Sequence, residues 1–478
     1  MIKAMFDDHY ESFSTWREAG LKELCCLHID AHLDLMEDDF EPDCLAAISQ
    51  AKNAEELEKF RSLGGPWGGS FHCGNFLYPA LRDGTISELI WILPPHILQG
   101  TSRLDATLEE LRKWVDLPLA DYANFQEREN RVEGTLLGVP FVACTSQNLP
   151  TLSPEQKQRL AIDIDVDYFI RVSDNKLWET PEQLAEALGP LEPLVLTVAL
   201  SRDGGYTPPQ DQYLGKVCLD VFSGQSKDWG QKVRDIQKAD ELPEVEREKA
   251  WESLLTQACS TTTPALLARL GRWEQAHNHN SLYQNLPLNQ AARLMEQKNW
   301  GKSLDFSSVS ISSLEKESLQ VRFFSYFFSN QFREALEISK KLREIPDMAR
   351  HERIKILQLS GEAHDALQEY QAACALYRHG LLLSPSHAGL HLSLALSQKQ
   401  NGEKKKATRA LRKSLRFSEG KLSHLSNLIL AINWYEELGQ KSLAQAARRE
   451  LQAKDPKGSH VLTARLKTMT QGQLGKRI

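Results

Sequence analysis

A chain of 478 residues exceeds one typical core and points to two or three domains. Its composition, 41% hydrophobic and 25% charged, is that of a globular protein, and a formal net charge of −7 gives no basic footprint for nucleic acid. No apolar run reaches membrane-spanning length, since Leu89 to Leu98 carries two prolines and a His, and Met1 to Asp8 lacks the apolar core of a secretory signal. The expectation is a soluble, cytoplasmic protein with no nucleic-acid or membrane partner.

Residues 1 to 225 alternate short β-rich runs with polar helical stretches, the syntax of an α/β domain. A helix over Phe13 to Glu23 leads into a strand at Leu24 to Ile29. Its continuation, His28-Ile29-Asp30-Ala31-His32-Leu33-Asp34, alternates apolar residues with Asp and His. On a strand that period turns Asp30, His32 and Asp34 to one face. Unpaired buried carboxylates are costly, so a divalent cation is the simplest neutraliser. A polar surface strand is the competing reading, and the apolar lead-in Leu24 to Leu27 argues against it.

Leu45 to Leu63 reads as a solvated amphipathic helix or lid, followed by the Gly-rich loop Gly64 to Ser70, which lacks the P-loop Lys. Next come Phe71-His72-Cys73-Gly74-Asn75-Phe76, a strand at Ser87 to Leu93, and a helix at Leu104 to Val115. Thr135 to Cys144 reads as a hairpin turning at Gly138, with Pro140 confining one partner to an edge. Leu160 to Phe169 is a second β-branched run with Asp163, Asp165 and Asp167 at alternate positions and no base among them. Acids that close drive one another toward the neutral form unless a cation intervenes. Mixed O and N ligands favour Mn, Fe or Zn over Ca, and so many carboxylates favour Mn. Leu194 to Leu200 is the last parallel-type strand. The eight cysteines include no CxxC pair, so neither a disulfide framework nor a zinc finger is indicated.

From 226 to 318 the pattern is helical and charged, a linker region. From 319 to 470 it turns repetitive: Tyr377 to Ser384 aligns with Leu411 to Ser418 at an offset of 34 residues, the period of tetratricopeptide (TPR) repeats. Other spacings run a few residues longer, so the array is TPR-like and degenerate. A plain helical bundle is the alternative.

The residues also carry a family resemblance. Asp30 to Asp34 resembles the DAHxD metal motif of the arginase and ureohydrolase superfamily, Asp165-Val166-Asp167 its later DxD, and Asp8-His9 the segment that supplies its first metal His. With Gly74-Asn75-Phe76, Asp163 to Phe169, and Ala199 to Ser201 followed by Tyr206 to Pro208, the first half is most similar to the peptide arginases and their uncharacterised relatives. The resemblance implies an arginase-like parallel sheet and two Mn2+ ions (Fe2+ or Zn2+ being alternatives), held by His9, Asp30, His32, Asp34 and two of Asp163, Asp165 and Asp167, with Asp165 and Asp167 favoured. It implies hydrolysis of an arginine guanidinium to ornithine and urea. His72 is its candidate proton donor, or else a loop residue bonded to backbone, and Asp203 its candidate guanidinium-binding acid. A helical-repeat tail fits a peptide or protein substrate better than free arginine. Two other readings stand beside this one: a deacetylase-like amide hydrolase using Tyr206, and a catalytically degenerate protein-binding scaffold.

Overall fold

The computed structural model describes the chain apart from residues 38–39, 41, 62–68, 99–101, 172, 175, 202–206, 209–210, 226–228, 240–241, 259–293, 296–297, 308–314, 347 and 456–478. The Gly-rich loop expected at Gly64 to Ser70 lies almost wholly outside the described residues. Two compact units emerge: Met1–Trp114 with Gln126–Ser325, and Val115–Phe125 with Tyr326 onward.

The first unit is built on eight strands in the order β1-β10-β7-β2-β3-β6-β5-β4. They are β1 (Ile2–Phe6), β2 (Leu24–Ile29), β3 (Ile86–Ile92), β4 (Gln126–Arg128), β5 (Arg131–Leu136), β6 (Val139–Cys144), β7 (Leu160–Asp165) and β10 (Val195–Ala199). A separate short ribbon pairs β8 (Ile170–Arg171) with β9 (Lys176–Leu177). Strands β2, β7 and β10 are buried throughout, as near-continuous apolar runs must be when helices cover both faces. The six strands from β1 to β6 in this order run parallel, and β6, β5 and β4 close the sheet as an antiparallel meander.

From β2 the chain steps outward to β3 and the meander, then returns to the other side of β2 as β7. The order therefore reverses between β2 and β7, where open α/β sheets bind ligands at their C-terminal strand ends. The segments following β1, β2, β7 and β10 all leave from that edge.

Several expectations shift. Strand β1, whose IKAMF sequence carries no clear period, forms the edge beside β10. The hairpin turns at Leu137-Gly138, both with positive φ (52° and 89°). Yet β6 is an interior strand: Pro140 pairs only with β5, and β3 joins from Phe141 onward, so the missing N–H falls outside the β3 ladder. Leu45 to Leu63 is two helices, Pro42–Gln50 and Ala54–Arg61, with Cys44, Ile48, Leu57 and Phe60 buried. The linker expected from 226 begins as core: helix Trp229–Ala239 packs Trp229, Val233 and Ile236, and helix Glu244–Ala258 packs Trp251, into the cluster around β7 and β10.

The second unit is all-helical. Its turns reveal the repeat more plainly than its side chains do. Asn330, Gln368, Gly402 and Gly439 each take positive φ between paired helices. The next residue's N–H then reaches back to close the same Schellman turn: Gln331 to Tyr326, Glu369 to His364, Glu403 to Gln398, and Gln440 to Tyr435, all at 2.7–2.9 Å. Successive turns are 38 (330 to 368), 34 (368 to 402) and 37 (402 to 439) residues apart. The segment Val115–Phe125 belongs to this unit. Leu117 O accepts from Leu422 N at 2.8 Å, Leu119 N donates to Gly420 O at 2.9 Å, and the Asp116 carboxylate receives the Ser423 N–H at 3.0 Å.

Candidate metal centre

A polar row crosses the sheet just below its C-terminal edge. Register places His28 of β2 beside Asp163 of β7, and Asp163 beside Thr197 of β10. Asp163 is fully buried and almost saturated. Its Oδ1 accepts from Ser12 Oγ at 2.5 Å and Thr197 Oγ1 at 2.7 Å, and its Oδ2 lies 3.0 Å from His9 Nε2 and 2.9 Å from His28 Nδ1. Burial alone would raise its pKa, but the His9 and His28 imidazoles hold the carboxyl well below the usual range. Asp163 thus anchors two imidazoles and turns their other nitrogens upward.

Above it, His9 Nδ1 lies 2.9 Å from Asp34 Oδ2 and 3.2 Å from both Asp30 Oδ2 and Asp165 Oδ2. His28 Nε2 is 3.3 Å from Asp30 Oδ2, and His32 Nδ1 is 2.9 Å from Asp167 Oδ2 and 3.6 Å from Asp30 Oδ1. These approaches are close, yet His9 Nδ1, His28 Nε2, Asp30 Oδ2 and both Asp167 oxygens are buried without a hydrogen-bond partner. Orphaned polar atoms of this kind are expensive in a dry interior. Ligands 2.0–2.1 Å from one cation, set at right angles, stand about 3 Å apart, the spacing seen here. Two groups, His9–Asp30–Asp34 and Asp30–His32–Asp167, share Asp30, each with donor atoms within 4.8 Å. Imidazole nitrogen with carboxylate oxygen is a donor set that Mn, Fe and Zn accept.

The local backbone is not the strand expected from the alternation. Strand β2 ends at Ile29, so Asp30 to Asp34 lie on the loop beyond it, and Asp34 sits at φ +50°. Asp30 Oδ1 accepts the His32 N–H at 2.7 Å, and Trp91 Nε1 donates to the Asp30 carbonyl at 3.0 Å. Asp163 and Asp165 do share a face of β7, whereas Asp167 belongs to a 3-10 turn (Val166–Phe169) that Asp165 caps through its Oδ1 at 3.0 Å. Ser201, also at positive φ (42°), donates its hydroxyl to Asp165. Left-handed non-glycine residues flanking one cluster are backbone strain of the sort that functional sites retain.

The Phe76 ring lies tilted 4.8 Å from His9 and edge-on 6.2 Å from His28. Its segment is tied to the Asp34 loop: Leu77 N donates to Asp34 O at 3.2 Å, and Met36 N to Gly74 O at 3.0 Å. In that segment His72 caps a short 3-10 turn, its Nδ1 accepting from Gly74 N at 3.2 Å while its own N–H meets Asn75 Oδ1 at 2.9 Å. Burial and the charges of Asp8 and Asp34 push the Cys73 thiol well above the ordinary value. Asp203 and Tyr206 lie outside the described residues. His28, in register with Asp163, is part of the anchor. A His two residues before the first Asp was the available signal.

No family model matches this chain, and no curated protein does. Solved structures titled "MamA AMB-1 P212121" and "MamA MSR-1 C2" resemble it at 16% identity. The first covers 42% of this chain and 98% of its own at a TM-score of 0.27, the second 40% and 97% at 0.26. At such scores the likeness carries no argument, and the repeat description rests on the turns above.

Proposed function

We propose that the first unit is a manganese-dependent hydrolase acting on the guanidinium of arginine within a peptide or protein, releasing urea and leaving ornithine. The observation that carries this reading is the set of buried, unpartnered donor atoms gathered around Asp30. His9, Asp30, Asp34 and Asp165 would hold one ion, and Asp30, His32 and Asp167 the other, with Asp30 shared. A bound divalent pair supplies Lewis acidity and a deprotonated water near neutral pH, which suits attack on an electrophilic carbon.

The chain's own groups do the rest. Asp163 fixes the ring orientation of His9 and His28, so their donor nitrogens need no reorganisation when a cation arrives. Phe76 walls the imidazole side of the cluster and limits water there. His72 would deliver a proton from Nε2 to the leaving amine only after its Nδ1 gives up the Gly74 N–H and takes a proton itself, so that the ring ends neutral. Asp203 is the carboxylate assigned to receive the guanidinium. The helical tail would dock the remainder of a long substrate.

The test strips the protein with chelator, reloads it with Mn2+ and offers it arginine-containing peptides and free arginine in separate reactions. Urea with matching peptide mass loss is expected from peptides, and Asp30→Asn should lose both metal and urea. Bound metal with no urea from any substrate would overturn the reaction. Metal retained by Asp30→Asn would overturn the site.

A further inference from the structure

The second unit carries a charge feature that the metal cluster does not explain. Half of the 14 residues of helix Lys404–Phe417 are Lys or Arg, and none is acidic. Ala407, Ala410, Leu411 and Ser414 take its buried face, so the cations crowd the outward one. Beside it, between helices Tyr370–Leu383 and Ala388–Gln400, lies a cleft of about 610 Å³. Arg378, Lys406, Arg409 and Lys413 line it together with Leu381, Leu382, Pro385 and Leu394. Glu403 draws Lys406 to 3.0 Å and Arg378 to 4.0 Å, while Arg409 and Lys413 have no acidic partner among the described residues. Leu382 is 80% exposed. His391 and Gln398, also lining the cleft, are almost fully buried, and each keeps one polar atom without a hydrogen-bond partner.

Uncompensated cations around apolar side chains specify an occupant that is anionic and partly greasy. The chain beyond Asp455 does not qualify, because it holds five Lys or Arg and no acidic side chain. A bare phosphate backbone would meet the cations and leave Leu382 and Leu394 unused. We propose that this cleft docks an acidic segment of a partner protein, its carboxylates on Arg409 and Lys413 and a bulky apolar side chain against Leu382 and Leu394. The surface is independent of the reaction assigned to the metal cluster, and its test leaves that cluster untouched.

Full-length protein is titrated into a fluorescein-labelled peptide of twelve residues, in which aspartates and glutamates flank a central leucine pair, and anisotropy is read at low and high salt. Saturable, salt-sensitive binding is expected. Arg409→Glu combined with Lys413→Glu should weaken it by at least about tenfold, as should Leu382→Ser, with helix content and metal content unchanged. A peptide with serines for the leucines should also bind at least about tenfold more weakly. No binding of the acidic peptide, or affinity indifferent to the charge reversal, would overturn the proposal. Equal affinity for the serine peptide or for an oligothymidine of the same charge would overturn it too, by showing a plain anion surface.

Discussion

Asp163 already accepts from Ser12, Thr197 and two imidazoles, which leaves it little capacity for a cation. Its value is angular: remove one acceptor and two imidazoles lose their bearing. Asp163→Asn should therefore keep the metal but weaken its affinity by roughly 10–100-fold, whereas loss of the shared Asp30 should abolish binding. Metal titration by calorimetry separates the two. The cluster also makes a pH signature. Burial alone would lower His28, but the Asp163 and Asp30 carboxylates push it up to about 9, and His9 and His32 are raised likewise by their carboxylates. An imidazole whose folded value exceeds its ordinary value of about 6.5 stabilises the fold fully below that pH and loses the contribution as pH climbs through the folded value. Burial and the charge of Asp30 raise Asp34 to about 6, so its effect is complete before that window opens. Metal-free protein should thus melt at progressively lower temperature from pH 6.5 to 9, while the gain in melting temperature on adding Mn2+ widens, because binding needs the imidazoles neutral. A metal-free melting temperature that is flat or rising over that range would contradict the His–Asp pairing. The Asp and His alternation made these groups legible in the sequence. Their placement was not, since the loop after β2 and the 3-10 turn after β7, not a strand pleat, gather Asp30, Asp34 and Asp167.

At the level of elements, the central strands were legible because parallel strands buried on both faces need continuous apolar runs, and Leu24 to Ile29, Leu160 to Asp165 and Val195 to Ala199 supply them. Strand β1 was not, because an edge strand exposed along much of its length needs no pattern. The helical repeat showed its period in sequence where Tyr377 to Ser384 aligns with Leu411 to Ser418; Gln368 and Asn330 occupy the same left-handed position as Gly402 and Gly439 without announcing it. Close packing inside the array yields a sharper test. A Cβ on Gly361 would stand 2.4 Å from Tyr377 Cε1, and the Tyr377 ring is itself buried, with its hydroxyl donated to Asp365 at 2.8 Å. Gly361→Ala should cost about 1–3 kcal/mol through overpacking, seen as a lower melting temperature of the helical unit with metal content unchanged. A neutral outcome would mean that the two helices are not in such contact.

For the whole molecule, length foretold more than one domain but not that the chain would interleave them. Nothing local in Val115 to Phe125 betrays its membership of the helical unit, because the evidence for it is a pairing across 307 positions, Asp116 with Ser423. That pairing sets a schedule. Synthesis delivers roughly 5–20 residues per second, so the segment leaves the ribosome on the order of 15–60 s before its partner does. The sheet has all its strands once Ala199 is out, while Asp116, Leu117 and Leu119 must wait for residues 420 to 423. During that interval the Asp116 to Leu119 stretch lacks the backbone it pairs with in the finished protein. The helical repeats must arrive before the earlier half can be put in its final form.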